Sequence, residues 1–142
     1  MKRAVITGIG IVSSIGNNQE EVLASLKSGK SGISFSEQFA EMKMRSHVWG
    51  DLKIETKDHI DRKTIRFMGD AAAYTYIAMQ QAIADAGLPE DQVSNERSGI
   101  VTGSGGASSV NSVAAAEIMK TKGVRRVGPY MVPRTMASTT SA

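Results

Sequence analysis

The sequence predicts an α/β fold in which helices cover a sheet, and three observations carry that reading. Apolar β-branched runs at residues 4–6 and 99–103 read as buried strands, each meeting glycine. Stretches at 19–28, at 70–86 and beyond 108 have helical apolar spacing with helical start and stop residues. The order is strand, helix, irregular excursion, helix, strand, helix, which is how helices are layered on a sheet.

Taken in order, Ala4, Val5 and Ile6 lead into Gly8-Ile9-Gly10, a strand running into a glycine turn, and residues 11–16 continue as an extended or looped stretch. Asn18 with Glu21 three places later resembles a capping box with Asn in place of Ser or Thr. Val22, Leu23 and Leu26 then form an apolar stripe and Gly29 is a stop, so the first helix is predicted over 19–28. Residues 30–58 mix Ser, Gly, Lys and isolated aromatics, with a short strand near His47, Val48 and Trp49; they read as an excursion packing locally on the main layer.

The alanine-rich stretch 70–86 is the strongest helical signal. Ala72, Tyr76, Met79 and Ile83 form one apolar row, and Ala73, Ile77 and Ala84 another, so much of its circumference is expected to be buried. It ends at Gly87 with Pro89 just beyond. A polar loop over 90–97 leads into the second strand at 99–103. Ser108 or Ser109 then caps a further helix with Val110, Val113, Ala114 and Ile118 on one side. Residues 136–142 read as the opening of another element without a closing signal, so the chain is expected to be cut inside a domain.

Composition narrows the function classes. A hydrophobic fraction of 41% with 22% charged residues belongs to a globular protein with a core, not to a disordered one. No apolar run approaches the roughly 18 residues that cross a bilayer. The start, Met1-Lys2-Arg3, reaches glycine too soon for a secretory segment, so a cytoplasmic location is expected. The absence of cysteine excludes disulfides, thiolate metal sites and a thiol nucleophile within these residues. A net charge of +3, without any block of like charges, gives little support to nucleic-acid binding.

Several local patterns are candidates for chemistry. Gly8, Gly10 and Gly16 after a strand invite a nucleotide-dependent oxidoreductase reading, but Ser13 stands where the third glycine of the dinucleotide fingerprint belongs. The helix also begins too late to point at a phosphate, which leaves Gly8 and Gly10 to serve tight backbone packing. The loop Gly103-Ser104-Gly105-Gly106-Ala107-Ser108-Ser109 serves equally as a turn or as a ligand wall, and lacks the lysine of a P-loop.

The basic group is Arg62, Lys63 and Arg66. If this segment is helical, Arg62 and Arg66 lie one turn apart with Lys63 adjacent, and Ile60, Thr64, Phe67 and Met68 take the opposing buried side. Two guanidinium forks and an ammonium suit carboxylates or a phosphate, although most charged helix faces are merely solvated. Arg125 and Arg126 form a second small basic patch. His47 and His59 stand twelve positions apart without cysteine nearby and do not read as a metal pair. The methionines read as core or interface fillers, except that Met131 and Met136 have the alternative of lining an apolar channel.

These pieces together resemble a known family. The opening Lys2 to Gly16 stretch, Lys30-Ser31-Gly32-Ile33, Ile60-Asp61-Arg62-Lys63 and Arg66-Phe67-Met68 are similar to segments of the β-ketoacyl-acyl-carrier-protein synthases. So are Gln81-Ala82-Ile83-Ala84-Asp85-Ala86-Gly87-Leu88, Gly103-Ser104-Gly105-Gly106, Val127-Gly128-Pro129-Tyr130 and Met136-Ala137-Ser138. The stretch Arg45-Ser46-His47-Val48-Trp49-Gly50 resembles the elongating type I bacterial kind most closely.

The resemblance implies the N-terminal part of a thiolase-like fold: two related α/β halves around mixed sheets, in a homodimer without cofactor or metal. It implies transfer of an acyl group from carrier protein to a cysteine, then decarboxylative condensation with malonyl carrier protein. That cysteine and two catalytic histidines lie downstream in the family, and His47 and His59 match positions outside the active site. No catalytic residue is therefore assigned here, and the 142-residue chain is expected to be inactive alone.

What carries over is binding. Arg62, Lys63 and Arg66 match the face that docks the acidic acyl carrier protein, with Arg125 or Arg126 adding to it across the dimer. Gly106 matches the acyl-channel wall, where some relatives carry a bulky gating residue, and Met136 lines the same channel. A noncatalytic carrier-binding or dimerisation fragment is the alternative from another class, and the oxidoreductase reading stands behind both. A half-fold is expected to expose apolar surface and to aggregate.

Overall fold

The computed structural model describes residues 3–106 and 108–142. Met1 and Lys2 of the opening motif, and Ala107 of the glycine-rich loop, lie outside the described residues. The backbone groups into two units, one comprising the chain up to Glu55 with Ala78–Gly87, the other Thr56–Ile77 with Leu88–Ala142.

In the first unit, α1 (Gln19–Ser28) forms where the capping residues predict it. Asn18 Oδ1 accepts from the Glu21 N–H at 2.9 Å, and the Glu21 carboxylate accepts from Asn17 N–H at 2.8 Å, one residue earlier than a standard capping box. Such a cap contributes about 1 kcal/mol. Gly29 ends the helix at φ +66°, the left-handed conformation that glycine adopts without a Cβ penalty. Ser25, buried on this helix, donates to the Ile15 carbonyl at 2.6 Å and fixes the loop before it.

The excursion holds a two-stranded antiparallel ladder. β1 (Ile33–Phe35) pairs with β2 (Val48–Gly50) in the register Ile33 to Gly50, Ser34 to Trp49 and Phe35 to Val48. Between them, Ser36 caps the short α2 (Glu37–Glu41) by accepting from the Phe39 N–H at 3.2 Å. Phe39 packs against Trp49 with ring centroids 5.8 Å apart, and His47 meets Phe35 edge-on at 6.0 Å, a packing role for that histidine.

α4 (Asp70–Asp85) occupies the predicted span to within one residue and gives its last eight residues to this unit. Its side chains hold the amino-terminal segment. Ile9 N–H donates to Asp85 Oδ2 at 2.9 Å, and Ile11 N–H donates to Gln81 Oε1 at 3.0 Å. The Ile9 N–H, followed by the Gln19 amide, holds the Asp85 carboxyl below its ordinary value of 3.8.

Because the folded carboxyl titrates below the unfolded one, its stabilisation is fully present above that value. It is lost as the pH falls through the lower, folded value. Asp85→Asn is therefore expected to lower stability near neutrality and to flatten the acid limb of a thermal-melting profile. An unchanged acid limb would show that this carboxylate does not anchor the segment.

In the second unit, α3 (Arg62–Ile65) precedes the first half of α4, where Ala72, Ala73 and Ile77 are buried. A short α5 (Glu90–Val93) follows. α6 (Ser109–Lys122) starts at Ser108, whose Oγ accepts from the Asn111 N–H at 3.5 Å. α7 (Met131–Thr135) leads to a 3-10 turn at Ala137–Thr140. Among the described residues no helix is long and apolar enough to cross a membrane.

Two expectations are corrected. Residues 4–6 and 99–103 are not in strands, and β1–β2 is the only sheet among the described residues. A strand needs a neighbour to take its N–H and C=O groups, and among the described residues neither segment has one. Val5 is 79% exposed, Ile6 85% and Val101 98%, so runs with the composition of buried strands stand in solvent.

Candidate functional site

All the residues singled out for binding fall in the second unit. Asp61 begins the basic segment by accepting from Lys63 N–H at 2.8 Å and Thr64 N–H at 3.1 Å. The Thr64 side chain and then the Lys63 N–H hold the Asp61 carboxyl below its ordinary value, so it stays ionised as the cap of α3. Arg66 continues in helical conformation after Ile65, and Arg62, Lys63 and Arg66 are all exposed as the helical spacing predicts. None of the three is in an ion pair among the described residues, where Lys120 with Glu117 at 3.9 Å forms one. Arg126 is exposed in a 3-10 turn, Val124–Arg126, directly after α6.

The side opposite the cations departs in part from expectation. Ile60 is buried, while Thr64 and Met68 are half-buried. Phe67, expected on the buried side, is 40% exposed, because α3 ends at Ile65 and the helical phase is not kept. Its ring meets Tyr130 edge-on with centroids 5.0 Å apart. The Arg66 guanidinium carbon lies 5.1 Å from the Phe67 centroid and 4.9 Å from that of Tyr130. Arg134 Nε donates to the Arg66 carbonyl at 2.8 Å. Tyr130 and Arg134 were not legible as partners of the basic segment. The adjacency of Arg66 to Phe67, and an aromatic following Gly128-Pro129, were the signals available.

Gly106 and Met136, both expected on the acyl-channel wall, line one recess together with Gly69, Ala72, Ser108 and Thr140. Its volume of about 10 Å3 holds about one water and no acyl chain. Gly69 is buried there, and a Cβ on it would stand 2.8 Å from the Arg134 carbonyl oxygen. His59 is exposed, with its backbone N–H donating to the Thr56 carbonyl, and among the described residues no His, Cys, Asp or Glu group is arranged to hold a metal.

A model of the β-ketoacyl synthase N-terminal domain matches residues 1–142. The chain belongs to the β-ketoacyl synthase family. It is 59% identical to 3-oxoacyl-[acyl-carrier-protein] synthase 1 of Haemophilus influenzae, over the whole of this chain and 35% of that protein. It is 57% identical to the protein of the same name from Escherichia coli, over 36% of that protein. The chain thus spans about a third of the length of these curated relatives. Among solved structures, a β-ketoacyl synthase from Burkholderia phymatum matches with a TM-score of 0.83 at 28% identity, over 99% of this chain and 35% of that one. The predicted α/β, thiolase-like class therefore stands as that of β-ketoacyl synthases.

Proposed function

We propose that these residues are the recognition section of an elongating 3-oxoacyl-acyl-carrier-protein synthase. The section stands before the catalytic cysteine and histidines in a longer cytoplasmic, homodimeric enzyme. The observation that carries this is a capped, exposed helix presenting Arg62, Lys63 and Arg66 without ion-pair partners, in a chain 59% identical to such a synthase. Unpaired cations at a surface attract an acidic partner at range and orient it on arrival. Arg126 adds to the docking surface for the acyl carrier protein across the dimer, and Gly106 and Met136 contribute wall to an acyl channel that the rest of the enzyme completes.

In the proposed reaction, a cysteine thiolate outside this section takes the acyl group from its carrier thioester. Malonyl carrier protein then loses carbon dioxide, and the enolate so formed attacks the acyl-enzyme carbonyl. The thiolate leaves, and the 3-oxoacyl chain, two carbons longer, stays on the carrier. The present residues hold no thiol, so their part is to deliver the carrier and shape the channel.

The test is a condensation assay with acyl- and malonyl-carrier protein. The full-length protein is expected to release carbon dioxide and 3-oxoacyl product, while the 142-residue chain binds carrier protein and makes no product. Turnover by the chain alone, or none by the full-length protein, would overturn the reading.

A further inference from the structure

We infer that Phe67 and Tyr130 are positioning residues for Arg66, an aromatic corner that fixes its guanidinium so that a carboxylate partner meets an oriented fork. The inference rests on the docking reading above and adds the uncharged residues that set its strength.

Three contacts converge on one side chain. The Arg66 guanidinium carbon is 5.1 Å and 4.9 Å from two ring centroids, and both distances are within reach of cation–π attraction. The rings stand at 88° to each other, so they form a corner that limits the cation in two directions at once. The backbone below it is held by Arg134 Nε, which donates to the Arg66 carbonyl at 2.8 Å.

With the rings at 88° the planar guanidinium lies flat on at most one of them, but it carries five in-plane N–H donors, so N–H groups remain for a carboxylate. An arginine already fixed in one orientation loses less side-chain freedom when a partner binds. Nothing comparable surrounds Arg62 or Lys63 among the described residues, so the effect belongs to Arg66.

A staple serving only to tie residue 67 to residue 130 would bury its rings. Here Phe67 is 40% exposed and Tyr130 38% exposed, beside Arg66, which is in no ion pair among the described residues. Both features point to a surface prepared for a partner.

The experiment is a double-mutant cycle on carrier-protein affinity in the full-length protein, using a purified acyl carrier protein as the probe. Tyr130→Leu keeps apolar bulk and removes the aromatic face; Phe67→Leu does the same for the other wall. Each is expected to weaken binding roughly three- to fivefold, and Tyr130→Phe to change it by less than about twofold. With Arg66→Ala in the background, the Tyr130→Leu effect is expected to vanish. A Tyr130→Leu loss of the same size with and without Arg66 would overturn the inference and leave a structural staple. So would no loss at all while Arg66→Ala still weakens binding. If Arg66→Ala itself changes nothing, the docking reading fails first, and the inference with it. Melting temperatures of each variant separate loss of affinity from loss of fold.

Discussion

Gly10→Ala is expected to destabilise the amino-terminal unit by several kcal/mol, one of the two largest effects that a single site or face of this molecule should show. The amino-terminal segment lies extended against the last two turns of α4. Its odd residues donate to helix side chains, Ile9 to Asp85 and Ile11 to Gln81. Its even residues, Gly8 and Gly10, sit on the helix backbone itself. A Cβ at Gly10 would stand 1.7 Å from the Ala78 carbonyl oxygen, and one at Gly8 2.2 Å from that of Ala82.

The repeat has a simple metric cause: two extended residues advance about 6.8 Å and four helical ones about 6 Å. The segment and the helix therefore stay in step, with Gly8 and Gly10 set over Ala78, Ala82 and Ala86. Backbone atoms cannot rotate aside as a side chain can. A methyl group at position 10 must lift the segment and break the bonds to Asp85 and Gln81. Overpacking with two lost hydrogen bonds gives a loss on the order of 3–5 kcal/mol. Gly128→Ala, with no atom within 4 Å of its added Cβ, is the control and should change stability by less than about 0.5 kcal/mol. Urea unfolding followed by far-UV circular dichroism measures both, with Trp49 reporting on the unit that holds Gly10; similar midpoints for Gly10→Ala and the control would refute the account.

The glycines at 8 and 10 also show where reading a sequence stops. Tight backbone packing was legible from the two glycines, but not its partner, because Ile9 and Asp85 are 76 residues apart. Features decided within one turn were legible: the Asn18 cap, the Gly29 stop and the bounds of α1, with α4 one residue short of its expected end and the α6 cap narrowed to Ser108 or Ser109. The runs at 4–6 and 99–103 failed as strands because composition records a preference for burial and pairing, whereas a strand also requires a neighbour.

The candidate site divides along the same line. Exposed Arg62, Lys63 and Arg66 followed from local helical spacing. Phe67 was placed on the wrong side because a four-residue helix does not carry its phase past Ile65. Its true neighbour, Tyr130, is remote in sequence. Family resemblance nominated Gly106 and Met136 for one channel wall, and the two residues line one small recess.

Reversing Arg62 and Arg66 together, as Arg62→Glu and Arg66→Glu, is expected to weaken binding of an acidic carrier protein by about a hundredfold at low salt. Both side chains are exposed and neither is in an ion pair among the described residues, so the change leaves little behind it in the fold. Asp61, which caps the helix, is untouched. An isolated surface pair contributes only about 0–1 kcal/mol, which would make one reversal modest. Two reversals on one turn replace attraction by repulsion toward the same carboxylates, and that difference is why the pair is the better probe.

The loss should shrink as salt rises, since the Debye length falls from about 30 Å at 0.01 M to about 8 Å at 0.15 M. Net charge alone would produce some weakening, so the same reversal at Lys27 and Lys30, in the other unit, sets the baseline. If docking is local to α3, the Arg62 and Arg66 pair loses far more affinity than the lysine pair. Equal losses would reduce the basic helix to a solvated face and the attraction to overall charge.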